Sequence, residues 1–71
     1  MNKQLVQNLV KAYNDYHNDE MIHILVETKK RTYNCYEALF YGTDKITFKD
    51  EDNNLVLLDY EDIIGIKVTE I

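Results

Sequence analysis

The chain has no proline, no tryptophan, two glycines and one cysteine, and no apolar run approaching the ~20 residues that cross a bilayer. Each shortage excludes something. A single thiol, Cys35, cannot build an internal disulfide framework and fits a reducing compartment. With Gly42 and Gly65 alone, no glycine-rich loop can wrap a phosphate. His17 and His23 stand six apart, with no cysteine at zinc-site spacing. Basic residues are also scarce: 8 Lys and Arg face 13 Asp and Glu, for a formal net charge of −5. The polar start Met1-Asn2-Lys3-Gln4 leads into no signal-peptide core, so the expected setting is cytoplasmic, without a membrane partner.

What is present points to a folded domain. A length of 71 residues permits one small domain and disfavours a catalytic cleft framed by two lobes. A chain this short buries only about 60% of its unfolded surface on folding, which makes self-association an expected source of stability. Apolar residues make up 45% and charged residues 30%, with six Tyr and two Phe, the profile of a globular domain. Asn, Lys, Ile and Tyr supply 27 residues whereas Ala, Gly, Pro and Arg supply 5. That bias is typical of an AT-rich genome and points to a low-GC bacterium or its phage.

The charge is unevenly placed. Residues 1–31 carry a net +1, and residues 32–71 carry −6. The acids gather in Asp50-Glu51-Asp52 and in Asp59, Glu61 and Asp62. Such a surface repels nucleic-acid phosphates and attracts basic surfaces.

Apolar periodicity gives the elements. Leu5, Val6, Leu9, Val10 and Tyr13 line one stripe of a helix over about residues 3–16, with Asn2 as its cap and Asn14 or Asn18 at its end. His17 falls near that end, where the helix dipole would favour its charged form. From Met21 the period becomes two, with Ile22, Ile24 and Val26 on one face and His23, Leu25 and Glu27 on the other. Thr28-Lys29-Lys30-Arg31 reads as a hairpin tip. The stretch Thr32–Tyr41 is long for a strand and is expected to bend, with Tyr36, Ala38 and Phe40 on one face. Gly42-Thr43-Asp44 is a turn, and Ile46 and Phe48 then alternate with polar neighbours. After a turn at Asp50–Asn54, Leu55–Leu58 is apolar on both faces, so either the helix or another subunit is expected to cover its second face. Tyr60-Glu61-Asp62 is a one-turn connector to a last strand that places Ile64, Ile66 and Val68 on one side, Gly65 permitting close packing or a bulge. The expected fold is mainly β (α+β): a helix laid across a five-stranded, strongly bent antiparallel small barrel.

Little of this resembles catalytic chemistry. Asp50, Asp52, Asn54 and Glu61 occupy positions 1, 3, 5 and 12 of a calcium-loop pattern, but Leu55 stands where the pattern needs glycine. Cys35 has no nearby base to activate it and reads as a small buried hydrophobe. No catalytic residue, metal or cofactor is expected. Tyr33, Tyr36, Tyr41 and Tyr60 could stack bases or anchor a protein interface, although core or half-buried strand positions explain them as well.

The order of elements resembles the Sm-like fold, the family of Sm, Hfq and related small barrels. The likeness rests on the helix, the strand Ile22–Glu27, the basic tip, Arg31-Thr32-Tyr33 leading to Leu39-Phe40-Tyr41, Lys45-Ile46-Thr47-Phe48, and Tyr60-Glu61-Asp62-Ile63. It implies a small barrel. The family's RNA-binding residues do not carry over: its bending glycine would fall near Cys35, and the acid and amide of its uridine pocket near Tyr41 and Lys45–Thr47. Where Sm proteins carry Arg-Gly and Hfq carries Lys-His, this chain reads Asp59-Tyr60-Glu61-Asp62. Acid at that place opposes a polyanion. In charge and size the chain is more similar to the Rof family of Rho inhibitors, acidic small barrels that bind a nucleic-acid-binding protein.

The sequence thus predicts a non-enzymatic regulator or inhibitor that binds a basic protein surface through Asp50, Glu51, Asp52, Asp59, Glu61 and Asp62, with Tyr60 as anchor. The alternative is an Sm- or Hfq-like oligomer that binds RNA through Lys29, Lys30, Arg31, Tyr33, Tyr36 and Tyr41. Self-association would use Leu55–Leu58 and the last strand.

Overall fold

A computed structural model describes residues 1–16 and 22–70. It contains one helix, α1 (Lys3–Tyr16), and five strands: β1 (Ile22–Thr28), β2 (Thr32–Tyr41), β3 (Lys45–Asp50), β4 (Leu55–Asp59) and β5 (Ile63–Glu70). A single 3-10 turn, Tyr60–Asp62, connects β4 to β5. All neighbours are antiparallel, in the order β4-β3-β2-β1-β5. The fold class expected from the sequence is therefore found, with one correction. The sheet does not close into a barrel, because β4 and β5 are its two free edges and do not pair.

The cap of α1 is as expected: the Asn2 side-chain oxygen accepts from the backbone amides of Gln4 (2.8 Å) and Leu5 (3.2 Å). The helix continues through Asn14 to Tyr16, while His17 and Asn18 lie outside the described residues. Its buried stripe is narrower than the sequence pattern, with Val6 and Val10 fully buried and Leu5 exposed. These two valines join Ile24 and Val26 of β1, Cys35 of β2, Ile46 and Phe48 of β3, Leu58 of β4, Tyr60, and Ile63 and Ile66 of β5 in one core. The alternation expected in β1 and β3 is what fills it.

Two strands depart from strict alternation. In β2 the register with β3 shifts between Cys35 and Glu37 and again between Ala38 and Phe40. A β-bulge puts an extra residue into one strand and moves the residues beyond it to the opposite face. Tyr36, Ala38 and Phe40 therefore do not share a face: Ala38 packs on the core, Tyr36 stacks on His23 with ring centroids 4.8 Å apart, and Phe40 is 65% exposed. In β5 the shift opposite Glu27 and Thr28 turns Ile63 inward and leaves Ile64 exposed, so Ile63, Ile66 and Val68 face the core instead of Ile64, Ile66 and Val68.

Gly42 is required by its turn. Its amide donates to the Lys45 carbonyl at 2.9 Å, and a Cβ there would lie 2.7 Å from that same oxygen. Phe48, fully buried at the centre of β3, is the largest such core side chain. Phe48→Ala is expected to cost about 3–5 kcal/mol. Urea unfolding followed by circular dichroism measures the loss.

Candidate binding surface

The β3–β4 turn is built by one aspartate. The Asp50 carboxylate accepts from the backbone amides of Asp52 (2.9 Å) and Asn54 (2.8 Å), and Asn53 takes a positive φ of 65° to complete the turn. Asp50 is thus occupied locally, while Glu51 and Asp52 stand exposed. This also explains the calcium-loop letters. Glu61 sits on the far side of β4, on the connector, and among the described residues no three His, Cys, Asp or Glu side chains gather to hold a metal.

The connector sorts its residues by burial. Tyr60 is only 4% exposed; its hydroxyl donates to the Gly42 carbonyl (3.0 Å) and accepts from the Gln7 side-chain amide (3.2 Å). Its backbone amide donates to the Asp44 carbonyl at 3.2 Å. Tyr60 is therefore a core group and not the exposed anchor expected from the sequence. Glu61 and Asp62, on the same turn, are exposed. Asp59 is bound to Lys45 at 2.5 Å, and the Lys45 ammonium is held above its usual pKa, first by that hydrogen bond and then by the Asp59 charge. Both side chains are about half exposed, so the pair is screened by solvent.

The basic tip is also built. Thr28 donates its hydroxyl to the Arg31 carbonyl (2.7 Å) and accepts from the amides of Lys30 (3.3 Å) and Arg31 (3.1 Å). The Lys29 amide donates to the Asp62 carbonyl at 3.0 Å, tying the tip to the connector. The Arg31 guanidinium lies 4.8 Å from the centre of the Tyr33 ring. Tip and acids are neighbours. Arg31, Tyr33 and Asn34 share a cleft of about 270 Å³ with Asp50, Glu51 and Asp52. On the tip's other side, Lys30 and Tyr33 share a smaller cleft of about 170 Å³ with Lys45, Asp59 and Asp62. The basic tip thus lies between the two acidic loops, which stand at opposite ends of β4.

The tyrosines do not assemble. Tyr33 and Tyr41 pack against the core, and Lys11 sits 5.0 Å above the Tyr41 ring. Tyr36 lies against His23 on the opposite face. Burial pushes the Tyr41 hydroxyl pKa up, with smaller contributions from Tyr60 and Asp15. They form no single platform for stacked bases.

Sequence reasoning named the Leu55–Leu58 part of one further surface and missed the part that Phe40 adds. Phe40, Leu57 and Leu55 are 65%, 58% and 63% exposed, and Phe40 and Leu57 flank Thr47 in one cross-strand row. The unbroken apolar run Leu55–Leu58 was the only signal for it, because the bulge that turns Phe40 outward has no sequence mark. The helix does not cover this face; it packs against β5, β2 and the connector.

Compared with known proteins, the chain matches no family model, no curated protein and no solved structure. Among the described residues, no helix is long and apolar enough to cross a membrane.

Two stability measurements test these roles. Tyr60→Phe removes the hydroxyl that Gly42 and Gln7 share, and is expected to cost about 1–2 kcal/mol in urea unfolding. Cys35 is fully buried, and burial, followed by the Asp50 charge, pushes its thiol pKa from 9.0 to about 12. The folded state holds this proton more tightly than the unfolded one, so the contribution is intact below pH 9 and is lost as pH rises toward 12. Denaturant titrations across that range should show stability falling, and Cys35→Ser should remove that part of the fall.

Proposed function

We propose that the protein is a small, non-enzymatic binding module whose acidic C-terminal half engages a basic surface on a nucleic-acid-associated protein, acting as a regulator or inhibitor. The observation that carries this reading is the exposure of Glu51 and Asp52 on one loop and Glu61 and Asp62 on another, both bordering the β1–β2 tip. Four carboxylates on the two sides of this tip steer a cationic partner and discourage phosphates. The Tyr33 and Arg31 side chains between them supply a stacked, partly apolar contact at the same place. The helix, the five antiparallel strands and the 3-10 turn before the last strand support the Sm-like resemblance. The acid on that turn supports an acidic member of the class. The residue bias supports a low-GC bacterial or phage setting, and the acidic charge and the lone reduced thiol support a cytoplasmic one.

A second reading keeps the resemblance to Sm and Hfq rings. It is favoured by the exposed Lys29-Lys30-Arg31 tip and by the free edges of β4 and β5, through which copies could join. It requires a ring-sized mass in light scattering and salt-sensitive binding of single-stranded RNA.

The test of the leading reading is affinity capture from host extract with identification by mass spectrometry. A basic, nucleic-acid-associated protein is expected. Reversing Glu51, Asp52, Glu61 and Asp62 to Lys should weaken the purified complex by about a hundredfold at low salt without altering the circular dichroism spectrum. Undiminished binding by that variant rejects the reading.

A further inference from the structure

The two free edges of the sheet are not equivalent. β5 carries Lys67 at mid-strand, ion-paired to Glu27 at 3.0 Å yet 70% exposed, and an irregularity near its start, both of which resist the addition of another strand. β4 carries neither. Its five residues run without a register shift against β3, and Leu55 and Leu57 are 63% and 58% exposed. A single receptive edge can be satisfied by the same edge of a second copy, whereas a head-to-tail ring needs both edges receptive.

We propose that two copies join antiparallel along β4, about a twofold axis at Leu57, into one continuous sheet. Pairing all five β4 residues fixes the register: Leu57 faces Leu57, Val56 faces Leu58, and Leu55 faces Asp59. Val56 and Leu58 stay on the core side, and Leu55, Leu57 and Asp59 on the outer side. The outer row Phe40, Thr47, Leu57 then continues into Leu57, Thr47 and Phe40 of the second copy. The charges fit this register. Lys45 lies beside Asp59 and Lys49 beside Leu55, so each Asp59 falls between its own Lys45 and, one strand beyond Leu55, Lys49 of the second copy. At the two ends of the pairing, the acidic turn of one copy approaches the acidic connector of the other. Salt screens the Asp59–Lys49 attraction as well, but two chains of net charge −5 repel on balance, so the dimer tightens as salt rises. A complex between the acidic loops and a basic partner responds in the opposite direction, which keeps the two ideas separately testable.

Sedimentation equilibrium of the full chain should give twice the 8.5 kDa mass, with association strengthening from low to high sodium chloride. Leu57→Lys puts two ammonium groups on the axis and should raise the dimer dissociation constant by about a hundredfold or more. Circular dichroism checks that this variant folds. Leu57→Cys does not depend on that check: facing Cβ atoms about 4.5–5.5 Å apart are close enough to join by small adjustment, so mild oxidation should link two chains. Cys35, fully buried, should not react, and Lys67→Cys on β5 should not link. A monomer at every concentration, a mass above two chains, or linkage through Lys67→Cys in place of Leu57→Cys overturns the proposal.

Discussion

The Tyr60 side chain holds together the parts of this molecule that are far apart in sequence. Its ring is in the core, its hydroxyl meets the β2–β3 turn at Gly42 and the helix at Gln7, and its backbone amide meets Asp44. A phenol that is buried and also hydrogen-bonded satisfies both the apolar and the polar demands of its site. Because Tyr60 turns inward on a tight 3-10 turn, Glu61 and Asp62 are directed outward. The exposure of the acidic connector is therefore a consequence of one core contact.

The acidic excess of the last forty residues reads differently once folded. Asp59 is engaged by Lys45, Asp50 by the backbone of its own turn, and Arg31 and Lys30 project between the two acidic loops. At physiological ionic strength charges interact over roughly 8 Å, so these neighbours partly cancel one another at a distance. Within the turn and the connector, the acids left over are Glu51, Asp52, Glu61 and Asp62. The surface around the tip is thus patterned, which favours a partner with matching charges over indiscriminate binding of any cation.

Much of the fold was legible because alternation and capping are local. Asn2 before an apolar stripe, Ile24 and Val26 in β1, and Ile46 and Phe48 in β3 all behave as their spacing predicts. β2 and β5 were not legible in the same way. A bulge answers to the curvature of the whole sheet, so nothing local told Phe40 and Ile64 to face out and Ile63 to face in. The candidate site divides along the same line. Acids on a turn and a connector could be read as exposed, but whether Tyr60 pointed in or out depended on Gly42 and Gln7, 18 and 53 residues away.

The open sheet bears on size. The accessible surface is 4677 Å², close to the roughly 4,700 Å² expected of a compact monomer with this mass. The small core nevertheless leaves little reserve, and large apolar side chains in water at Phe40, Leu55 and Leu57 add nothing to it. Exposed apolar residues along an unpaired strand invite another strand, and a chain that did not use that edge would gain from a lysine there, as β5 has at Lys67. The contrast between the two edges, apolar along the middle of β4 and lysine-bearing at the middle of β5, is the ground on which pairing along β4 is proposed.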